Sequence, residues 1–370
     1  MNNAHAGCRV VLVTQIVTPY HTELFDAVCA RGAIDLRIVY IDESTSFREW
    51  RQRPRGHPHL DLARSGLQGE QTASAWLAGA DLAIFGTYQH RCASRWIHQR
   101  GQSGKPWCFW GERPGYRFPG LAGKLFRQWM LGPLARSRAP IWGIGRWAID
   151  GYRREFGADR RYFNVPYFSD LARFTNARRD APEQGGPRRL LFSGALIGRK
   201  GVDLLARSFR EFARNGDDIR LDIVGDGDMR NRLMHLLEPV SAKVCFHGFR
   251  QWGELPELYA RAHVLCVPSR YDGWGLVVPE GLAAGLPVIA TDRMGAAVDL
   301  LRDGVNGWIV PAGDYDQLHS AIGKALALAN RELGRLSVAA MDSVANHTLA
   351  DGVRRFEQAV QGSLAAWPES

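Results

Sequence analysis

The 370-residue chain has few cysteines, and no two of its six cysteines stand in a C-x-x-C spacing. This scarcity argues against a disulfide framework and against a zinc-ribbon type of metal site. No apolar run approaches the roughly 18 residues that a membrane-spanning helix needs. The first residues also lack the basic and apolar regions of a secretory signal. We therefore expect reduced thiols and a cytoplasmic protein.

Acidic residues are unevenly distributed along the chain. Residues 1–167 carry 23 Lys/Arg and 13 Asp/Glu, and residues 168–370 carry 24 and 25, so the net charges are +10 and −1. Between residues 86 and 138, ten basic side chains accompany a single acid, Glu112. Leu121, Leu125 and Trp129 recur there at four-residue spacing, which predicts a basic amphipathic helix.

This basic helix is open to three interpretations: an apolar stripe packed on the core, a surface that docks on anionic lipid head groups, or a nucleic-acid interface. The sequence has no zinc-finger spacing, no RNP-like aromatic motif and no basic-region heptad, so we expect no nucleic-acid partner. The first two interpretations stay open. The second predicts peripheral association with the inner face of the cytoplasmic membrane.

Strand-like and helical patterns alternate along the whole chain, which predicts an α/β protein with parallel sheets covered by helices on both faces. The pattern breaks between residues 44 and 69, where we expect an extended loop. It breaks again at 176–189 (NARRDAPEQGGPRR), whose composition is typical of a linker. The sequence therefore predicts two doubly wound domains with a hinge within residues 165–190.

The most informative stretch runs from Pro268 to Asp292 (PSRYDGWGLVVPEGLAAGLPVIATD). Pro279 suits the first position of a helix, so we expect Glu280 in the first turn of a short helix that ends before a second proline. Gly273 and Gly275 lie in the preceding loop, where bare backbone amides can approach phosphate oxygens. Because an anion repels phosphate, the natural partner of Glu280 is a pair of ribose hydroxyls.

The same stretch resembles the donor-site signature of retaining GT-B glycosyltransferases of family four, the group 1 glycosyltransferases. Their pattern is an acid, seven residues and a glutamate within E-x-F-G-L-x-x-x-E-A-x-A-x-G-x-P-V-I. Asp272 and Glu280 occupy the two acidic positions, with Asp272 standing where the family usually has glutamate. The resemblance implies that Asp272 contacts the donor sugar and that Glu280 binds the nucleotide, together with Gly273, Gly275, Leu276 and Val277.

A second segment, 192–205 (FSGALIGRKGVDLL), resembles the family's G-R-L-x-x-x-K-G sequence. Lys200 falls on the diphosphate-binding lysine, and Gly194 on the first glycine. The family's arginine position is Ala195 here, so Arg199 becomes the candidate for that phosphate contact. The turns after the next two strands resemble those in which the family holds the base by backbone contacts, and they contribute Gly225, Gly248 and Phe249.

The amino-terminal half carries weaker matches. Tyr20 and His21 follow the first strand, where many relatives have an acceptor loop, and are candidate acceptor contacts. Glu112 follows a later strand, where relatives have a histidine near the donor sugar, and is a third catalytic candidate beside Lys200 and Asp272. The alternative interpretations are a structural histidine and a salt bridge within the basic stretch.

As a whole the resemblance implies a GT-B fold, in which two Rossmann-like domains face each other across a cleft. Residues 1–167 would bind the acceptor and residues 168–345 the nucleotide sugar, while residues 346–370 would form a helix that crosses back to the first domain. The implied reaction transfers a sugar, with retention, from a nucleoside-diphosphate sugar to a hydroxyl of a glycan or lipid-linked acceptor. Surface polysaccharide or glycolipid biosynthesis is the expected setting.

The resemblance implies no metal or other cofactor, and we interpret the D-x-D spacing of Asp226-Gly-Asp228 as a turn. Two rival functions remain: an epimerase or hydrolase of the same fold that acts on the nucleotide sugar itself, and a non-catalytic protein that binds it.

Overall fold

The computed structural model describes residues 7–42, 50, 54–115, 120–177 and 186–367. The described residues form two compact units. The first comprises the chain up to Ser169 together with the residues from Leu349 onward, and the second comprises Asp170–Thr348. Each unit is built around one parallel sheet. The predicted class, α/β with two Rossmann-like sheets, is confirmed.

The described part of the first unit contains a seven-stranded sheet in the order β3-β2-β1-β4-β5-β6-β7, with every neighbouring pair parallel. Its strands are β1 (Cys8–Thr14), β2 (Ile34–Tyr40), β3 (His59–Asp61), β4 (Leu82–Phe85), β5 (Trp107–Gly111), β6 (Ile141–Gly143) and β7 (Tyr162–Asn164). Its helices include α1 (Pro19–Arg31), α2 (Leu62–Gly79), α3 (Arg91–Gln102), α4 (Gly120–Met130), α5 (Gly132–Arg136) and α6 (Arg146–Phe156).

The second unit has a six-stranded parallel sheet in its described part, in the order β10-β9-β8-β11-β12-β13. Its strands are β8 (Arg188–Ser193), β9 (Ile219–Val224), β10 (Val244–Gly248), β11 (Val264–Val267), β12 (Val288–Thr291) and β13 (Gly307–Val310). Its helices are α7 (Ala172–Ala177), α8 (Val202–Arg214), α9 (Arg230–Leu237), α10 (Leu255–Ala260), α11 (Val277–Ala283), α12 (Gly295–Leu300), α13 (Tyr315–Leu326) and α14 (Asn330–Ser343).

The order of the second sheet reverses between β8 and β11. Ligands of doubly wound sheets bind beyond the carboxyl ends of the strands at such a switch point. The loops that follow β8 and β11 are therefore the first place to look for a site.

The last helix, α15 (Leu349–Ala365), belongs to the first unit, where it packs on α1. Phe356 of α15 makes edge contacts with Trp110 and Trp142, and the Trp142 indole donates to the Ser363 hydroxyl at 2.9 Å. The central strands β4 (LAIF) and β11 (VLCV) are apolar and buried along their whole length, as expected for parallel strands that helices cover on both faces.

The extended loop predicted for residues 44–69 is wrong from residue 59 onward, where β3 and α2 lie; residues 44–49 and 51–53 are outside the described chain. The Asp26 carboxylate accepts hydrogen bonds from the backbone amides of Gly56 and His57, and the His57 ring is 2.9 Å from the Tyr40 hydroxyl. These contacts hold a short polar strand beside β2. A strand of three residues is too short to show an alternation of apolar and polar residues, and the bend at Gly66 interrupts the helical spacing of apolar residues in α2. Neither element therefore has a clear hydrophobic period in the sequence.

The predicted basic amphipathic helix is α4, but its apolar stripe does not pack on the core. Leu121, Leu125 and Trp129 are 73%, 57% and 73% exposed, which overturns the core interpretation. No helix in the described residues is long and apolar enough to span a membrane.

Candidate functional site

Lys200 lies in the loop that follows β8, at the switch point of the second sheet. A 3₁₀ turn, Gly198–Lys200, ends at Gly201, which adopts a φ of 66°. A methyl group at Gly201 would lie 2.0 Å from the Pro268 carbonyl oxygen, so glycine is required for this loop to pack against the end of β11. The Lys-Gly pair of the sequence motif thus places Lys200 beside the loop after β11.

Asp272 lies in that second loop, and its carboxylate forms an ion pair with the Lys200 ammonium. Both side chains are mostly buried, at 16% exposure for Lys200 and 13% for Asp272. The Asp272 amide donates to the Arg293 carbonyl at 2.9 Å, which fixes the loop backbone. The structure therefore brings together two of the three predicted catalytic residues, and an arriving anion would compete with Asp272 for the lysine.

Arginine side chains link the loop after β8 to the loop after β11. Arg199 donates to the Tyr271 carbonyl at 2.8 Å, and Arg270 donates to the Gly198 carbonyl at 2.6 Å while pairing with Asp203. Arg199 thus supports the loop that carries Asp272. Its contact with a phosphate stays a prediction.

Three of the predicted nucleotide-binding glycines lie next to one another at the ends of β8, β9 and β10. The Gly225 amide donates to the Gly248 carbonyl at 2.8 Å, and a methyl group at Gly225 would lie 2.0 Å from the Gly194 carbonyl oxygen. Phe249 follows directly after Gly248. The turns therefore pack backbone against backbone, which leaves little side-chain bulk along this edge of the sheet.

Glu280 lies in the first turn of α11, as predicted, but the helix begins at Val277, two residues before Pro279. Gly273, Gly275 and Leu276 lie in the segment that leads into it. The Glu280 side chain is 3% exposed and accepts a hydrogen bond of 3.1 Å from the Tyr259 hydroxyl.

Tyr259, on α10, is a site residue that the sequence reasoning missed. Burial and the nearby Glu280 charge raise the pKa of Tyr259 well above its ordinary value. The hydroxyl therefore stays protonated and remains a donor, which orients the Glu280 carboxylate. No motif signals this tyrosine, because it belongs to a separate helix.

In the first unit the predicted acceptor residues Tyr20 and His21 lie together with Glu112, the third catalytic candidate. The Tyr167 hydroxyl donates to a Glu112 carboxylate oxygen at 3.2 Å, and the Tyr167 ring lies 4.8 Å from Tyr20 and 5.1 Å from His21 between centroids. These residues follow the carboxyl ends of β1, β5 and β7. Tyr167 was missed; its only signal is an aromatic residue three positions after a strand.

One group among the described residues could hold a metal ion: Asp222, Cys245 and His247 on β9 and β10. The His247 Nε2 atom lies 2.8 Å from the Asp222 carboxylate, but Arg189 is also 3.4 Å from that carboxylate. A guanidinium already beside Asp222 disfavours a divalent cation there. The Asp226 carboxylate accepts from the Gly227 amide and pairs with Arg230, as expected for a turn.

Residues 173–335 match the family of glycosyl transferases group 1. Among curated proteins, the chain is similar to a GDP-mannose-dependent alpha-(1-6)-phosphatidylinositol monomannoside mannosyltransferase of Mycolicibacterium smegmatis. The two are 29% identical over 222 residues, which cover 54% of this chain and 58% of the relative. The chain spans between about a third and three fifths of the length of the first curated relatives it matches.

Two examples follow of solved structures that are similar to almost the whole chain. One is the sucrose-phosphate synthase of Thermosynechococcus elongatus, with a TM-score of 0.76, 18% identity, and coverage of 97% of this chain and 100% of that one. The other is Anabaena HepE in complex with UDP, with a TM-score of 0.74, 14% identity, and coverage of 96% and 100%. At these identities the likeness shows the fold, which is GT-B.

The family match covers the segment that holds Lys200, Asp272 and Glu280, and the resemblance predicted from those residues is confirmed. Over residues 173–335 the chain is similar to the group 1 glycosyltransferases, and its fold is GT-B.

Proposed function

We propose that the protein transfers a sugar, with retention of anomeric configuration, from a nucleoside-diphosphate sugar to a hydroxyl of a glycan or lipid-linked acceptor. The observation that carries this proposal is the Lys200–Asp272 ion pair at the point where the second sheet reverses its strand order. A mostly buried cation beside a carboxylate, at the place where doubly wound sheets bind ligands, suits an anionic leaving group next to a polar sugar.

Lys200 would stabilise the negative charge that grows on the departing diphosphate. Such a preorganised donor is typically worth about 3–4 kcal/mol in the transition state. When the diphosphate binds, it competes with Asp272 for the lysine, and this releases carboxylate oxygens for the hydroxyls of the donor sugar. The proposal assigns the positive charge to Lys200 and therefore expects transfer without added metal.

Glu280 would accept hydrogen bonds from the ribose hydroxyls. The Tyr259 hydroxyl supports this role, because it donates to one oxygen of the buried Glu280 carboxylate and so orients the group. The turns at Gly194, Gly225 and Gly248, together with Phe249, would hold the diphosphate and the base. Their backbone-to-backbone packing leaves amides and carbonyls as the groups nearest a ligand.

The cluster of Tyr20, His21, Glu112 and Tyr167 would form the acceptor side, and Glu112 would be its catalytic candidate. Aromatic faces and a carboxylate are the groups that hold a sugar ring, since the ring offers apolar C–H faces and hydroxyl donors. The relative from Mycolicibacterium smegmatis is named for a phosphatidylinositol-linked acceptor. We extend this to a surface polysaccharide or glycolipid pathway at the inner face of the cytoplasmic membrane.

The proposal is tested by thermal-shift screening of the whole chain against UDP, GDP, ADP and their sugars. A ligand at about 100 times its dissociation constant should stabilise the chain by about 2.7 kcal/mol. The donor found in this way is then incubated with and without glycan and lipid acceptors, and the product anomer is identified by proton NMR. Parallel reactions with EDTA test the expected independence from metal.

The rival functions give different results in the same assay. Consumption or isomerisation of the donor alone, unchanged by any acceptor, would indicate a hydrolase or epimerase. Tight donor binding with no turnover in any mixture would indicate a non-catalytic binding protein. A product with inverted configuration would overturn the retaining assignment.

A further inference from the structure

Helix α4 presents its apolar side to solvent. Of the nine large hydrophobic side chains that are exposed among the described residues, four lie on this one helix: Leu121, Leu125, Phe126 and Trp129. Leu121, Leu125 and Trp129 recur every four residues and thus form one ridge along the helix. A ridge of this kind on a surface helix needs an explanation, whereas single exposed leucines do not.

Polar contacts attach α4 to α6. The Arg127 side chain is 7% exposed and forms an ion pair with Glu155, with one of its hydrogen bonds at 2.9 Å. Gln128 donates to the Glu155 carbonyl at 3.0 Å, and the Lys124 ammonium to the Arg154 carbonyl at 3.4 Å. The helix therefore turns its arginine inward and its leucines outward, the reverse of an ordinary surface helix.

The chain segment that contains this ridge carries almost only positive charges. Between residues 86 and 138 the chain has ten basic residues and one acid. Arg127 is neutralised by Glu155, but Arg136 and Arg138, which follow α4, are exposed, and so is Arg154 beside Lys124. Apolar side chains that can enter the acyl boundary, accompanied by cations that can bind head groups, fit an anionic bilayer.

We propose that the outward face of α4, with Arg136 and Arg138, docks on an anionic lipid bilayer. This surface would bring the protein to a lipid-linked acceptor in the membrane, and that role rests on the proposed function. The docking itself is measured without donor or acceptor. Its failure is therefore distinguishable from a failure of the sugar transfer.

The test is flotation of the full chain with vesicles of phosphatidylcholine alone or of equal parts phosphatidylcholine and phosphatidylglycerol. The wild type should bind the anionic vesicles at low salt, bind the neutral vesicles far less, and lose binding as salt rises, because the Debye length shrinks to about 8 Å at 0.15 M. The triple variant Leu121→Ser, Leu125→Ser, Trp129→Ser should lose binding at least about tenfold.

Matched controls separate docking from general surface effects. Leu67→Ser removes a leucine that is 79% exposed on α2, away from the ridge in sequence, and should leave binding unchanged. Arg136→Glu with Arg138→Glu should reduce binding at least about tenfold, because each basic residue near an anionic surface contributes and each reversal repels. The same two charge reversals at Arg331 and Arg335, exposed on α14, should have little effect.

Arg127 is left intact in every variant because it holds the helix in place. Unchanged circular dichroism and thermal transitions would show that the variants fold. The proposal is overturned if the wild type ignores anionic vesicles at low salt, or if the ridge variant binds them as well as the wild type does. It is also overturned if gel filtration shows a dimer that the ridge variant converts to a monomer, because the ridge would then bind a second copy of the chain.

Discussion

In the second unit the loops that carry the candidate residues pack backbone against backbone, whereas in the first unit the candidate residues pack side chain against side chain. Gly201 and Gly225 each lie so close to a carbonyl oxygen that no other residue fits. Tyr167, in contrast, gathers Tyr20, His21 and Glu112 through ring contacts and one hydroxyl. The first arrangement requires particular residues at particular spacings, and the second tolerates many sequences.

This difference suits the proposed division of labour. A nucleoside diphosphate presents the same phosphates and ribose in every donor, so a rigid glycine-lined edge can serve all of them. Acceptors differ in shape, and aromatic clusters on loops can change without disturbing the sheet.

Replacing Lys200 with alanine should lower turnover by about 10²–10³-fold, since a preorganised donor on a developing anion is worth about 3–4 kcal/mol. Donor affinity should fall less than turnover, because the diphosphate charge grows toward the transition state. Steady-state kinetics with the donor found in the thermal-shift screen measure both. Equal losses in the two quantities would mean that the lysine only holds the ground state.

Variants of Asp272, the ion-pair partner of Lys200, provide a control for the Lys200→Ala prediction. Asp272→Asn and the Lys200→Ala, Asp272→Asn double variant complete a double-mutant cycle. Because the two side chains are in contact, their effects should be non-additive by about 0.5–3 kcal/mol. Additive effects would show that the pair does not act as a unit.

Gly201→Ala should destabilise the chain by about 3 kcal/mol or more, because the added methyl group clashes with the Pro268 carbonyl in a left-handed backbone conformation. Gly198→Ala, three residues earlier in the same loop, has nothing within 4 Å of its new methyl group and should cost less than about 1 kcal/mol. Urea unfolding of both variants measures the difference. Similar losses would contradict the close backbone packing.

Glu280→Gln should weaken the binding of the free nucleotide and the nucleotide sugar alike, by about 1–3 kcal/mol, because the ribose hydroxyls lose a charged acceptor. Tyr259 can still donate to the glutamine oxygen, so the fold should be retained. Calorimetric titration gives both affinities. An unchanged affinity in the folded variant would remove Glu280 from the nucleotide site.

Tyr167→Phe should have the smallest effect. It removes one hydrogen bond to the exposed Glu112, which is worth about 1 kcal/mol or less. Nucleotide affinity, measured by the same calorimetry, should be unchanged because the residue belongs to the proposed acceptor side. A loss comparable to that of Glu280→Gln would remove the distinction between the two sets of residues.

The segments around Lys200 and Asp272 could be recognised from the sequence because they resemble a family pattern of residues at fixed spacings, and close backbone packing requires one of its glycines, Gly201. The sequence placed the start of α11 two residues late, since Pro279 is compatible with several positions in the first turn. Tyr259 could not be predicted, because its contact with Glu280 depends on how α10 packs. The orientation of α4 could not be predicted from the sequence either. A four-residue apolar period is the same whichever face is turned inward, and the Arg127–Glu155 pair that decides the matter joins two separate helices.

The central claim is most directly tested by a crystal structure of the full chain with the nucleoside diphosphate that gives the largest thermal shift. The account predicts the diphosphate at Lys200, with the lysine drawn from Asp272 to the phosphate oxygens and the ribose hydroxyls on Glu280. A nucleotide bound elsewhere, with the Lys200–Asp272 pair intact, would contradict it.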